Sequence, residues 1–369
     1  MIREEINEIK KQFNKDTNVI TKYAGCYVDA EKNIKFMTKD AFYSLPEEDA
    51  FKYEEIFRKT LSGAVGKSLL TLDFSIDEEG DDTPHAFLMK LRESRLDDEL
   101  ILDEFFRKVI DAYEYAENYY IILVDMMYDI PGKSSDKLAM EDASNEVYHG
   151  LLCSICPVTL SKPALSYFAN EGVIANRIRD WIVGMPMHGF LFPAFTDRTT
   201  DIHAALYFSK KNDALNESFI NEIIGVNPPM SSVMQKETFE AVLYDVLRDE
   251  LTMPVMSALS SNMLDLIAEN SDNPEPLVLT KNDMVKLISK SGVSDEAVES
   301  YEKSADADIE VLADNVVDTR KFEVKTPGIT VKTDTDSIEK LETRVIDGRK
   351  YLLVPIEDDV EVNGMPVKA

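Results

Sequence analysis

The densest concentration of side chains able to do chemistry lies between Trp181 and His203. It holds the single tryptophan, Trp181, then His188, the aromatics Phe190, Phe192 and Phe195, a bend at Pro193, and the polar group Asp197, Arg198, Thr199, Thr200, Asp201 and His203. An aromatic wall beside a carboxylate, a guanidinium and an imidazole is what a small-molecule pocket uses to orient a ligand and move a proton. On that reading His188 or His203 acts as acid or base, Asp197 orients and Arg198 holds an anionic group. Trp181, Phe192, Phe195 and Arg198 then contact the ligand. The competing reading makes residues 197–201 a hairpin turn with Arg198 paired locally and the aromatics simply core. Arg177, Arg179 and Asp180 fall in the same neighbourhood.

Cys153 and Cys156 form a CxxC followed by Pro157. A thioredoxin-type thiol is activated at a helix N-terminus, whereas the flanks here, Gly150 to Ile155 and Val158 to Leu160, read as strand. A zinc half-site needs further ligands, and the candidates Cys26, His85, His149, His188 and His203 are scattered. A deaminase needs HxE ahead of PCxxC, and the chain has neither. Buried thiols acting as small hydrophobes are the favoured reading, with Cys153 and Cys156 weak candidates for a thiol or zinc site and no metal expected.

The stretch Ser62-Gly63-Ala64-Val65-Gly66-Lys67-Ser68 resembles a phosphate loop at its end only. Leu61 stands where the first glycine is required, and the loop joins a helix to a strand, the reverse of what a phosphate cradle needs. The elbow GxSxG, the zincin HExxH and the dinucleotide GxGxxG are absent. No cofactor is expected.

The elements that must position these groups emerge from periodicity. Ile2, Ile6, Ile9 and Phe13 make an amphipathic first helix that docks on the domain after it. Val19–Val28 and Ile34–Met37 read as strands. A helix capped by Ser44 with Glu47 in return runs to about Leu61. Leu70, Leu72, Phe74 and Ile76 alternate as a strand, helices start at Pro84 and Asp98, and Tyr119–Met127 is apolar almost throughout, a strand covered on both faces. After a polar stretch at 129–145 come short strands, including Leu165–Ala169 and Phe190–Phe195, then helices to about Ala268. A hinge at Ser271–Pro276 leads to a helix pair, Asn282–Lys290 and Asp295–Lys303, and a strand-rich tail with hairpin turns at Asp347-Gly348 and Asn363-Gly364. The expectation is an α+β chain of three parts: an N-terminal α+β domain (1–130), a central one (146–270), and a C-terminal helical hairpin plus β-meander (277–369).

The helix pair imitates a helix-turn-helix, but Ser294 to Thr319 carries nine acids and one base. A phosphate backbone would be repelled, so a docking module or plain helical hairpin is expected instead. The whole chain, with 69 acidic and 40 basic residues and a net charge of −29, points the same way: no nucleic acid and no anionic membrane as partner. Solubility is the plain reading of the acidity. Three cysteines are too few for a disulfide framework, the first residues lack a signal-peptide apolar core, and no run approaches a bilayer span, so a cytoplasmic location is expected. Oligomeric state is not readable.

Seven stretches resemble one known family: YAGCYVD at 23–29, LPEEDAFKY at 45–53, KTLSGAVGK at 59–67, LLCSICPVTLSKPALSYF at 151–168, GFLFPAFTDR at 189–198, PPMSSVMQKETF at 228–239 and ETRVIDGRKYLLVPI at 342–356. That family is the domain of unknown function 4317 of Firmicutes. The resemblance spans essentially the whole chain and implies a cytoplasmic bacterial protein, one complete family member, with no activity or site to carry over. The first expectation is therefore a non-catalytic protein binding a small molecule or protein partner. The alternatives are an enzyme acting on a small polar or anionic substrate near residues 181–203, and a thiol or zinc site at the CxxC.

Overall fold

The apolar run beginning at Tyr119 forms strand β4 (Tyr119–Ile130), and its alternation decides the architecture. Ile121 and Leu123 point into one hydrophobic core and Ile122 and Val124 into another, so both faces are covered, as the composition of the run predicts. The computed structural model describes residues 1–367 apart from 15, 18, 134–138, 141–145, 212, 214, 305, 357–359, 363 and 364. The fold is mixed α+β, and the chain divides into two units, Met1–Ser231 and Ser232–Ala369.

In the first unit β1 (Ile20–Val28), β2 (Ile34–Ala41), β3 (Leu69–Asp73), β4, β5 (Glu146–Leu160), β9 (His188–Phe192) and β12 (Ala204–Ser209) form one sheet in the order β2-β1-β4-β5-β9-β12-β3. Every neighbouring pair is antiparallel. Between β5 and β9 lie β6 (Leu165–Phe168), β7 (Val173–Asn176) and β8 (Trp181–Val183); between β9 and β12 lie β10 (Ala194–Thr196) and β11 (Thr199–Asp201). One face of the sheet packs against α3 (Pro84–Glu93), α4 (Glu99–Ala112) and the helical segment 217–224 through Leu88, Leu91, Phe105 and Phe219. The other packs against α1 (Arg3–Lys11) and α2 (Glu47–Thr60) through Ile6, Ile9, Ile56 and Phe57.

Local chemistry accounts for several element ends. Thr83 caps α3 through Ala86 N with Pro84 at the first helical position, and Asp98 caps α4 through Leu100 N and Ile101 N. The expected cap of α2 is corrected: the Ser44 hydroxyl bonds back to Ala41 O within a short 3-10 turn, and α2 starts at Glu47 behind Pro46.

In the second unit α5 (Ser232–Leu247), α6 (Met253–Glu269), α7 (Lys281–Ser289) and α8 (Asp295–Lys303) bury Phe239, Leu243, Leu259, Leu287 and Tyr301 together. The helical pair is thus a core element of this unit. The tail strands pair as sequential hairpins, Lys321–Thr326 with Ile329–Asp334 and Glu342–Ile346 with Arg349–Leu353, then Val360–Val362 with Met365–Val367. Asp347 and Gly348 take φ of 50° and 75°, the left-handed pair that an Asp-Gly hairpin turn requires. The turn at Asn363-Gly364, and most of the polar stretch at 129–145, lie outside the described residues.

The domain boundaries expected from composition do not follow this division. Residues 1–130 and 146–231 share one sheet, and residues 232–270 belong with the tail. The polar stretch after β4 reads in sequence as a separator, but β5 on its far side pairs with the whole length of β4, Tyr119 opposite Pro157 to Ile130 opposite Glu146. Among the described residues no helix is long and apolar enough to cross a membrane.

Candidate functional site

The residues between Trp181 and His203 are distributed over separate elements with separate partners. Asp197 and Arg198 are the two left-handed residues of the turn joining β10 to β11, with φ of 52° and 57°. The Asp197 amide donates to Glu5 Oε1 at 2.7 Å, and Arg198 Nη2 donates to Glu8 Oε1 at 2.8 Å, so both fasten α1 to this hairpin. His203 is exposed and lies 2.6 Å through Nδ1 from Glu79 Oε1, whose hydrogen bond and charge raise its pKa. His188 is hydrogen-bonded through Nδ1 to the Tyr113 hydroxyl at 2.7 Å and stacks on Tyr207; burial pushes its pKa down to about 4, so it is a neutral imidazole.

Phe192 packs with Phe74 and His85 on one side of the sheet, whereas Phe195 packs with Tyr128 and Tyr148 on the other. Trp181 stands on β8, half exposed. Of the candidates, then, only Asp197 and Arg198 are brought together, and they meet α1.

The CxxC is separated by the period of a strand. Residues three apart on β5 face opposite ways, so Cys153 joins the α3–α4 core and Cys156 the α1–α2 core. Burial pushes both thiols well above the ordinary range. The phosphate-loop mimic joins α2 to β3, the connection its flanks predict.

Two polar constellations that sequence reasoning passed over are assembled by the fold. Asp125, fully buried on β4, accepts from the Thr21 hydroxyl through Oδ2 and lies 2.6 Å through Oδ1 from His149 Nε2 on β5. Arg92 Nε, from α3, donates to His149 O at 2.7 Å. The signal was present: Asp125 is the one charge within the apolar run Tyr119–Met127, and a buried carboxylate needs partners.

The second is a cleft of about 620 Å³, the size of a small-molecule site, between the end of α1, the start of β1, the turn at Phe42–Leu45 and the first half of α2. Phe42, Tyr43, Leu45 and Phe51 form apolar walls, Glu47 and Glu48 add negative charge, and Lys52 adds one positive group. Glu54 also lines it, only 6% exposed, with Oε2 buried and without a hydrogen bond. The nearest cation, Arg58 Nη1, is 3.6 Å from Oε2, an ion pair too long for a hydrogen bond, while Nη1 donates to Phe13 O and the guanidinium lies over the Phe51 ring. Burial raises the Glu54 pKa against the opposing pull of Arg58. Glu54 and Phe51 carried no sequence signal beyond helix patterning, because a two-wall cleft exists only once α1 and α2 have docked.

Sheet, helices and cleft together define a mixed α+β protein with a cavity of small-molecule size. The chain belongs to the family described as domain of unknown function (DUF4317), which it matches over residues 1–365. No curated protein matches it.

Proposed function

We propose that this protein binds, without chemical turnover, a small amphipathic molecule carrying a protonated amine or other N–H donor, in the cleft between α1 and α2. The observation that carries the reading is Glu54: a carboxylate oxygen buried in the cleft lining whose cationic partner, Arg58, stands 3.6 Å away, beyond hydrogen-bond length. Leaving a buried acceptor unmatched costs about 1–3 kcal/mol, and a donor supplied by a ligand would recover it. The surrounding aromatic rings suit an apolar body, and the excess of carboxylates over Lys52 favours a cation over an anion.

A raised carboxyl pKa in a cleft also suits a general acid or base, so an enzyme using Glu54 is the second reading. A site built from His188, Asp197, Arg198 and His203 has less support, since His188, the Asp197–Arg198 turn and His203 sit on separate elements, and the side chains of His188, Arg198 and His203 are engaged by Tyr113, Glu8 and Glu79.

The test is a screen of aryl-alkyl amines against the full chain by ligand-observed NMR, repeated with Glu54→Gln and Phe51→Ala. Binding weakened about 10- to 100-fold by Glu54→Gln, the worth of a charge-assisted hydrogen bond, is expected. Amines that bind equally well to both variants would remove the cleft from consideration. Consumption of a hit by the wild-type chain but not by Glu54→Gln would favour the enzyme.

A further inference from the structure

Beyond Leu160 the chain leaves the main sheet as a two-stranded ribbon. Trp181–Val183 pairs with Val158–Leu160, the Ser161 amide donates to Asp180 O at 2.9 Å, the Arg177 amide donates to Ala164 O at 2.8 Å, and β6 pairs with β7 up to the turn at Gly172. Among the described residues β6 and β7 form a sheet of two strands only, so both outer edges are unpaired. A two-stranded ribbon is marginal by itself in water, and unpaired edges are templates for another chain.

Nine large apolar side chains between Leu165 and Met185 are exposed, among them Leu165 at 75%, Ile174 at 70% and Trp181 at 54%. Together they present on the order of 1,000 Å², shared between the two faces of the ribbon, against the ~800 Å² each partner contributes to a standard interface. Tyr167 lies directly opposite Ile174 and Trp181 opposite Leu160, so apolar groups meet across the ribbon at these positions, while Leu165 faces Asn176 and Ile182 faces Thr159.

Charge singles out the occupant. Residues 161–187 carry Lys162, Arg177 and Arg179 against Glu171 and Asp180, three minus two, a net of +1, so the rest of the chain carries −30. Two copies of such a chain repel wherever their acidic surfaces approach within about a Debye length, ~8 Å at physiological salt. With two carboxylates against three cations, the ribbon is an extended stretch where two copies can meet without net repulsion between acidic surfaces. An anionic membrane would repel the remaining −30, and a basic protein would be drawn to the acidic body instead of the ribbon.

We infer that residues 158–185 are a self-association arm through which two copies of this chain pair about a twofold axis, through the exposed apolar side chains and open edges of the ribbon. This does not depend on the cleft. Because the bodies repel and the arm is apolar, association strengthens as salt is raised, the opposite of a charge-driven complex. Trp181, the only tryptophan, reports the contact directly.

The test is sedimentation equilibrium of the full chain at low and high salt, with Trp181 emission followed against protein concentration. A dimer is expected, tighter at 0.5 M than at 0.05 M salt, with Trp181 emission shifting to the blue as it forms. Leu165→Asp and Ile174→Lys, singly and together, should raise the dissociation constant, at least 100-fold for the pair, with circular dichroism unchanged because both sites are exposed. A chain that stays monomeric at 100 µM in high salt overturns the inference. So does a dimer indifferent to both variants, or a monomer whose Trp181 shifts only on adding phosphatidylcholine–phosphatidylglycerol vesicles.

Discussion

Asp125 Oδ1 and His149 Nε2 lie 2.6 Å apart across the β4–β5 pair, and the second carboxylate oxygen accepts from the Thr21 hydroxyl, so a fully buried acid has both oxygens matched. Removing one partner of a buried pair leaves the other desolvated and unpaired, at a cost of about 3–5 kcal/mol. His149→Ala and Asp125→Ala should each lower the unfolding free energy of the first unit, read from urea curves, by that order, and the double variant should lose clearly less than the two combined. Strict additivity in this double-mutant cycle would show that the pair contributes no coupling.

His188 predicts an acid-sensitive step. Its pKa falls from the ordinary 6.5 to about 4 in the fold, chiefly through burial. The unfolded chain then binds the proton more tightly, so the stability from this group is fully present above pH 6.5 and is lost as pH falls toward 4. A difference of this size corresponds to on the order of 3 kcal/mol. Unfolding curves for wild type and His188→Gln, taken from pH 7 to pH 4, should converge by about that amount; parallel curves would mean the imidazole is not held neutral.

Glu54 has the opposite sign. Its carboxyl is raised in the fold by burial, so its contribution is best below the ordinary carboxylate range, about 4.3, and deteriorates as pH rises through the folded value. Glu54→Gln should therefore stabilise the ligand-free chain by about 1 kcal/mol at pH 8 and by much less at pH 4. Thermal melts at the two pH values check this, and a variant less stable than wild type at pH 8 would indicate that the Arg58 pairing outweighs burial.

Gly189 lies where the central strands leave no room. A Cβ there would meet Cys153 O at 2.3 Å and Thr60 Cγ2 at 2.7 Å, and the first is backbone that cannot turn aside. Gly189→Ala should cost about 1–3 kcal/mol through overpacking. Gly172→Ala, at a turn with nothing within 4 Å but φ of +66°, should cost about 1 kcal/mol from backbone conformation alone. A Gly189→Ala denaturation midpoint equal to that of wild type would contradict the close approach at Gly189.

All three thiols are buried, and Cys153 and Cys156 face opposite cores. Native protein should react with a thiol reagent only as fast as it opens, and denaturation should release all three cysteines together. Rapid labelling of one cysteine in the native state, or a disulfide between Cys153 and Cys156 found by mass spectrometry, would refute this placement.

Much of the fold is legible in the sequence. Local order sets the mixed α+β character, the all-apolar strand at Tyr119, helices starting near Pro84 and Asp98, and the Asp347-Gly348 turn, because period, caps and turn residues act within a few positions of themselves. The family, too, is readable from the residue strings alone. What only the tertiary structure decided were the neighbours. Arg198 meets Glu8 across 190 positions, Asp125 meets His149 because β4 and β5 pair, and residues 1–130 and 146–231 form one unit because their strands interleave in one sheet. The region from Trp181 to His203, rich in chemistry when read as a line, is divided among the sheet's two faces, a turn and an exposed ribbon. Strand alternation sends successive side chains to opposite sides, and only docking determines which of them share a wall.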